Sequence, residues 1–211
     1  MHILLQHSKR RLVPVLIAAA IAAVSPAMAA PAQDSAAVAK AVAMSTAQPW
    51  QRSTVIDNKE YQIATIVIDA KADDVWKVLT DYPHAPNIFT NVKKLTVVKS
   101  EGNTKQLAFE VTAAGGLCKY DYVVDATENE AEHRIEWHRA SGAFKANDGY
   151  WQLTPVREGT LVTYAKHLEG SLFLPTPFIN MELKKTMPIV MNNLKAAVLK
   201  KHNIAYGEPI Q

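Results

Sequence analysis

The sequence predicts an α+β domain: a curved antiparallel sheet of about seven strands around one long C-terminal helix, with two short helices after the first strand. Three observations carry this reading. Pro177 to Lys201 places apolar residues three to four apart, the period of a helix with one buried face. Glu60 to Leu168 alternates instead in short runs separated by turn residues. A single apolar helix that follows a run of strands needs a sheet to cover it. A sheet that curves around the helix leaves a cavity between them.

The first stretch reads as a targeting segment and not as fold. Lys9, Arg10 and Arg11 precede the apolar run Leu12 to Val24, and Ser25 to Ala29 supplies the small residues of a cleavage site. The run is short for a membrane span of about 20 residues. Residues 1–29 are therefore expected to be a signal peptide cut near Ala29, which places the protein in the periplasm or outside the cell. The whole chain carries a net charge of +3, and Lys9, Arg10 and Arg11 account for it. The remainder of the chain is balanced between acids and bases, so charge makes no case for nucleic acid. Cys118 is the sole cysteine, which excludes an intramolecular disulfide. Its alternating surroundings suggest a buried structural thiol.

Residues 30–52 are Ala-rich and read as a flexible or partly helical lead-in, with a short helix expected over Ser35 to Met44. The domain proper is placed at residues 53–205, with a tail at 206–211. Glu60 to Ala70 is the first strand, apolar on both faces. Ala72, Val75, Trp76, Val78 and Leu79 give the next helix its inner face, and Asp73 and Asp74 suit its first turn. Asp81-Tyr82-Pro83 ends it, and Ala85 to Phe89 is a short second helix. Lys94 to Ser100 and Lys105 to Ala113 come next as strands, the latter with Leu107, Phe109 and Val111 on one face. Gly115-Gly116 reads as a turn or bulge. Leu117 to Ala126 then groups Cys118, Tyr120, Tyr122 and Val124 on one face. Arg134 to Ala140 groups Ile135 with Trp137. Ser141 to Gly149 reads as a loop or hairpin tip, with Phe144 exposed or folded back. Tyr150 to Thr154 and Thr160 to Glu169 form the last pair. Pro188 lies inside the long helix, where it should kink it or divide it in two. Thr176 is a candidate cap.

The most specific stretch is Ala72-Asp73-Asp74-Val75-Trp76-Lys77-Val78-Leu79-Thr80-Asp81-Tyr82-Pro83, followed by Phe89 and Val92. Phe144, Gly149, Trp151, Leu153 and Pro155 form a second pattern, and Gly159 to Tyr164 a third. Together they resemble the START-like (SRPBCC) superfamily, in particular its polyketide cyclase/dehydrase and coenzyme Q-binding group. The resemblance runs from about Glu60 to Lys200 and implies a helix-grip fold. It also implies a hydrophobic ligand such as a lipid, quinone, sterol or polyketide, and in some relatives catalysis. It does not choose among these functions.

The residues themselves exclude several chemistries. The seven histidines show no short paired spacing of the zinc-enzyme kind, so no metal is expected. No phosphate loop, dinucleotide fingerprint or nucleophile elbow is present, and no cofactor is implied. Glu110, Asp121, Glu136, His138, His167 and Tyr164 are the candidates for acid–base work. Glu110 and Asp121 sit opposite the large side chains of their strands, as solvated charges would. Around His167, Leu161, Thr163 and Ala165 share one face while Val162, Tyr164, Lys166 and Leu168 share the other, and neither is plainly the core.

Aromatic and methionine side chains carry the binding expectation. Tyr120, Tyr122, Trp137, Trp151 and Tyr164 offer flat apolar area with a polar edge. Phe178, Met181, Met187 and Met191 would complete the wall from the helix, methionine being adaptable to varied ligands. Ser171 to Ile179, with Phe173 and Phe178, could form a lip or touch a membrane transiently. The leading function is binding or transport of a hydrophobic small molecule, lipid or isoprenoid/quinone-like, without catalysis. A cyclase/dehydratase-like enzyme and a solid-core partner-binding module are the alternatives. Protein partners are not specified by the sequence.

Overall fold

The computed structural model describes residues 35–113, 116, 118–171 and 175–206, with side chains to Lys201. The expected signal peptide, Gly115, Phe173 and residues 207–211 lie outside the described residues. Helix α1 (Ser35–Ser45) leads into strands β1 (Trp50–Ile56) and β2 (Lys59–Ile68). Helix α2 (Ala72–Leu79) and a 3-10 helix (Tyr82–Asn87) come after them. Then come β3 (Val92–Glu101), β4 (Thr104–Ala113), β5 (Cys118–Asn129), β6 (Arg134–Gly142), β7 (Ala146–Val156) and β8 (Gly159–Glu169), before helix α3 (Thr176–Tyr206). The strands form one antiparallel sheet in the order β1-β2-β8-β7-β6-β5-β4-β3.

The sheet has eight strands where about seven were expected. The added strand is β1, which begins inside the expected lead-in. It is joined to β2 by Asp57-Asn58, with Ile56 opposite Lys59. Both turn residues have positive φ, 47° and 61°. Such a two-residue turn needs residues that tolerate left-handed backbone, and Asp and Asn do so better than most. α1 covers part of the outer sheet face, where Ala41 packs with Val67 and Leu161.

Alternation sorts the sheet into two surfaces. Ala64, Ile66 and Ile68 of β2 and Val162, Tyr164, Lys166 and Leu168 of β8 share the inner one, as their cross-strand register requires. Asn147, Gly149, Trp151 and Leu153 of β7 lie there too, facing α3. Arg134, Glu136, His138, Asp148, Gln152 and His167 occupy the other surface.

α3 is one 31-residue helix that runs through Pro188 without dividing. The lost N–H strips the Lys184 carbonyl of its usual partner, and Lys184 is solvent-exposed. The buried stripe is Ile179, Leu183, Met187, Val190, Met191, Leu194 and Val198. Met181 does not belong to it. Two residues from both Ile179 and Leu183, it is rotated by more than half a turn, and it stands 45% exposed. Ile179 fills the place on the stripe that Met181 was expected to take. Each fully buried side chain of the stripe contributes about 1.5–3 kcal/mol of hydrophobic stabilisation. Lys201 Nζ donates to Asp81 at 2.8 Å and Asn193 Nδ2 to the Ile88 carbonyl at 3.1 Å, tying α3 to the segment around the 3-10 helix.

The expected loop after β6 proves more ordered. Most of Ser141 to Gly149 is strand, and only 143–145 form the hairpin tip. Phe144 is folded back and buried there. Arg139 Nε donates to its carbonyl, and the Lys145 N–H donates to the Glu169 carbonyl at 2.9 Å. Gly142 has φ +102°, and a Cβ there would lie 2.4 Å from Tyr122 Cα, so the crossing requires glycine. The helix starts at Thr176, one residue before the expected Pro177, so Phe178 and Ile179 of the suggested lip belong to its first turn. Thr176 does not cap it as expected; its hydroxyl accepts the Gly170 N–H at 3.0 Å and fastens the end of β8. Cys118, expected to be buried, is half-buried at the start of β5.

Candidate functional site

Between the inner sheet surface and the first half of α3 lies a cavity of about 180 Å³. One wall comes from Val92 and Leu95 of β3, Leu107, Phe109 and Val111 of β4 and Tyr120, Tyr122 and Val124 of β5. Trp137, Trp151 and Tyr164 form the floor across β6, β7 and β8. Phe178, Leu183, Met187 and Val190 close it from α3, and Phe89 from the segment after the 3-10 helix. The alternation of each strand places these side chains together. A dry apolar cavity of ~150 Å³ takes a benzene-sized guest, so this one admits a ring or short chain as it stands.

The aromatic groups pack in two clusters. Trp151 and Tyr164 stack with centroids 4.0 Å apart, and Phe89 meets both edge-on at 6.2 and 6.4 Å. Phe109 stacks on Tyr122 at 4.8 Å, and Phe144 meets Tyr122 edge-on at 5.4 Å. Tyr82 also lines the cavity; its hydroxyl donates to Glu128, and Lys105 bonds the same carboxylate.

Polar groups are few and concentrated. Burial pushes the Tyr164 hydroxyl well above the usual tyrosine range, with Tyr122 nearby adding to the effect. Burial pushes Tyr122 up as well, opposed by Asn147. Trp137 Nε1–H donates to Asn147 Oδ1 at 3.2 Å. Lys166 Nζ stands 5.7 Å from the Tyr122 ring centroid. Burial alone pushes its ammonium down to about 8. Glu182 is the one carboxylate among the described lining residues, and it accepts from Lys185 at 3.5 Å.

Of the nine residues expected to bind ligand, the structure brings seven to the cavity: Tyr120, Tyr122, Trp137, Trp151, Tyr164, Phe178 and Met187. Met191 is fully buried in the core between α3 and the sheet, away from the lining. Met181 points to solvent. Of the acid–base candidates only Tyr164 lines the cavity. Glu110 and Asp121 face each other across β4 and β5, both exposed. His138 bonds Asp148 at 3.2 Å on the outer surface, and Glu136 is held by Arg134. His167 is turned outward too, its Nδ1 against the Glu60 carbonyl at 2.8 Å. Among the described residues no cluster of His, Cys, Asp and Glu is arranged to hold a metal, and no helix is long and apolar enough to cross a membrane.

Sequence reasoning missed Lys166 and Asn147. The signal was present. The period of two that places Tyr164 and Trp151 inside also places Lys166 and Asn147 there.

A curved sheet holding a long C-terminal helix over an apolar cavity has relatives. The family described as polyketide cyclase / dehydrase and lipid transport matches residues 64–198. The chain belongs to that family. Its helix-grip architecture is shared with solved structures of low sequence identity. TTHA0849 from Thermus thermophilus is 21% identical with a TM-score of 0.58, over 66% of this chain and 97% of that one. The Zhui aromatase/cyclase from Streptomyces is 15% identical with a TM-score of 0.60, over 76% and 100%. A STAR-related lipid transfer protein from Xanthomonas axonopodis is 18% identical with a TM-score of 0.58, over 72% and 94%. None of the curated proteins matches the sequence. The family and the cavity agree on a capacity to take up a hydrophobic small molecule, and the residues above are this member's version of it.

Proposed function

We propose that this protein binds and carries a hydrophobic small molecule, a lipid or an isoprenoid- or quinone-like compound, outside the cytoplasm and without chemically changing it. The observation that carries the reading is the lining of the cavity. Aromatic rings and aliphatic chains surround it from six strands and α3, and the burial they offer is the driving force for an apolar guest. The Xanthomonas relative is named for lipid transfer, which agrees with this. Met181 supports pick-up at a membrane: it exposes apolar area one turn beyond Phe178, at the helix end that lines the cavity. The export signal read in residues 1–29 supports a place in the periplasm or outside the cell.

A second reading, an aromatase- or cyclase-like enzyme, draws on the Tyr122, Tyr164 and Lys166 cluster, which could hold or pass a proton. The Zhui likeness lends it weight. Carriage is preferred because none of the described histidines and none of the remaining acid–base candidates lines the cavity.

The test is native mass spectrometry of the protein purified gently from its own compartment, with organic extraction of whatever accompanies it. A stoichiometric apolar compound is the expected result. Val111→Phe, which fills the cavity from a lining position, should arrive empty while unfolding at nearly the same denaturant concentration. Equal loading of both proteins would overturn the cavity reading, and recovery of a chemically altered compound would favour the enzyme.

A further inference from the structure

The cavity has a corner where donors outnumber acceptors. Asn147 is 1% exposed, and Trp137 holds its Oδ1, which fixes the orientation of the amide. That leaves Nδ2 toward the Tyr122 hydroxyl, whose ionisation it favours, yet Nδ2 makes no hydrogen bond of its own. A buried amide donor left unpaired is costly and uncommon in a folded protein. Lys166 stands beside it. Gly149 pairs with Lys166 and Asn147 with Leu168, so Asn147 and Lys166 are diagonal neighbours on one sheet surface. Gly149 leaves the space. A Cβ there would lie 2.2 Å from the Trp137 indole, so no larger residue could separate the two.

Lys166 has no ion-pair partner among the described residues. Its neighbour across β2 is Gln62, whose side chain is engaged with Ser53 and Glu60. Glu182, from α3, is engaged with Lys185. An ammonium beside an apolar cavity, with a free amide donor next to it, is an arrangement awaiting an anion.

We propose that the Asn147–Lys166 corner holds the carboxylate of an otherwise apolar ligand, with Lys166 Nζ and Asn147 Nδ2 donating to its oxygens. The inference rests on the carrier reading and sharpens it: the cargo is an organic acid, its hydrocarbon part lying against Trp151, Phe109 and Met187. A ligand acceptor would satisfy both donors at once. A neutral cargo would leave the ammonium uncompensated.

The full chain, purified and delipidated, is titrated with octanoic acid and with 1-octanol at pH 7, following the fluorescence of Trp137 and Trp151 and confirming by calorimetry. The acid should bind about tenfold or more tightly than the alcohol, the scale of a charge-assisted hydrogen bond. Lys166→Met should erase that preference while leaving the alcohol within about twofold, and Lys166→Arg should restore part of it. Equal binding of acid and alcohol by the wild type would overturn the carboxylate corner and leave the carrier reading standing. So would an acid preference that survives in Lys166→Met. If neither probe binds, the apolar-cavity reading itself fails, and the inference falls with it.

Discussion

The two surfaces of the sheet treat charge in opposite ways. On the outer one, every strong charge near the centre has found a partner. Arg134 donates to Glu136 at 2.8 Å and to Gln152 at 3.1 Å, and lies 4.2 Å from the Tyr150 ring centroid. Asp148 is held by His138 at 3.2 Å and Lys59 at 2.6 Å, and these partners draw its carboxyl down to about 2. On the inner surface, one residue away along β8 from the outward His167, Lys166 has the Tyr122 ring at 5.7 Å but no carboxylate partner among the described residues. The charged groups of the outer network named here are satisfied within the fold, while the charge that faces the cavity waits for a ligand. The comparison thus separates structural from functional charge on one sheet.

It can be broken by mutation, the largest effect first. Arg134→Met strands the half-buried Glu136 and should cost about 3–5 kcal/mol, read from the urea midpoint. A loss under about 1 kcal/mol would mean that the outer network adds little. Lys166→Met should act with the opposite sign and stabilise the protein at pH 7 by ~1–3 kcal/mol, since it removes an enclosed charge. The sign has a pH signature. The folded-state value of about 8 lies below the unfolded one, so the cost is full below pH 8 and relieved as pH rises toward 10.5. Tyr122 and Tyr164 stay neutral through that window because burial pushes both above it. Wild-type stability should therefore rise there relative to the variant, and parallel curves would refute the account.

The smallest effect belongs to Asp148→Asn, a loss of about 1–2 kcal/mol at pH 7 after allowance for the exposed Lys59 and His138. Here the folded value is depressed. The contribution is present above about pH 4 and lost as pH falls toward 2, so the two proteins should converge in acid. The His138 end runs the other way. Its raised value makes its share full below about pH 6.5 and lost at higher pH. A scan of melting temperature against pH reads both limbs.

Much of the fold was legible because its signals are local. Alternation over Lys105 to Ala113 and Leu117 to Ala126 named the cavity faces of β4 and β5 correctly, since a pleated strand cannot do otherwise. What escaped depended on information that no single strand carries. β8 is apolar on both surfaces because α1 and its neighbours shelter the outer one, so periodicity could not say which side held Tyr164 and Lys166. β1 was hidden by its edge position, where Arg52 and Ser53 are exposed and, with Gln51, break the apolar pattern. Only the Asp57-Asn58 turn betrays it. Met181 was drawn into the helix stripe by residue type, although its angular position excludes it. The period of two puts Asn147 on the face of Trp151, but what sets it apart, a buried donor without a partner, is visible only in the folded chain.

The order of the strands also governs how the chain can assemble. β3 to β8 succeed one another as neighbours and can zip up locally. β2, made early, must wait for β8, because Gln62 pairs with Lys166 roughly 100 residues later. The lysine corner, the stack of Trp151 on Tyr164 and the cover of α3 all come into being at that late joining. A nascent or truncated chain lacking β8 and α3 would expose the cavity wall as a sticky, half-covered sheet. Ligand uptake and completion of the fold thus depend on the same last segment of the chain.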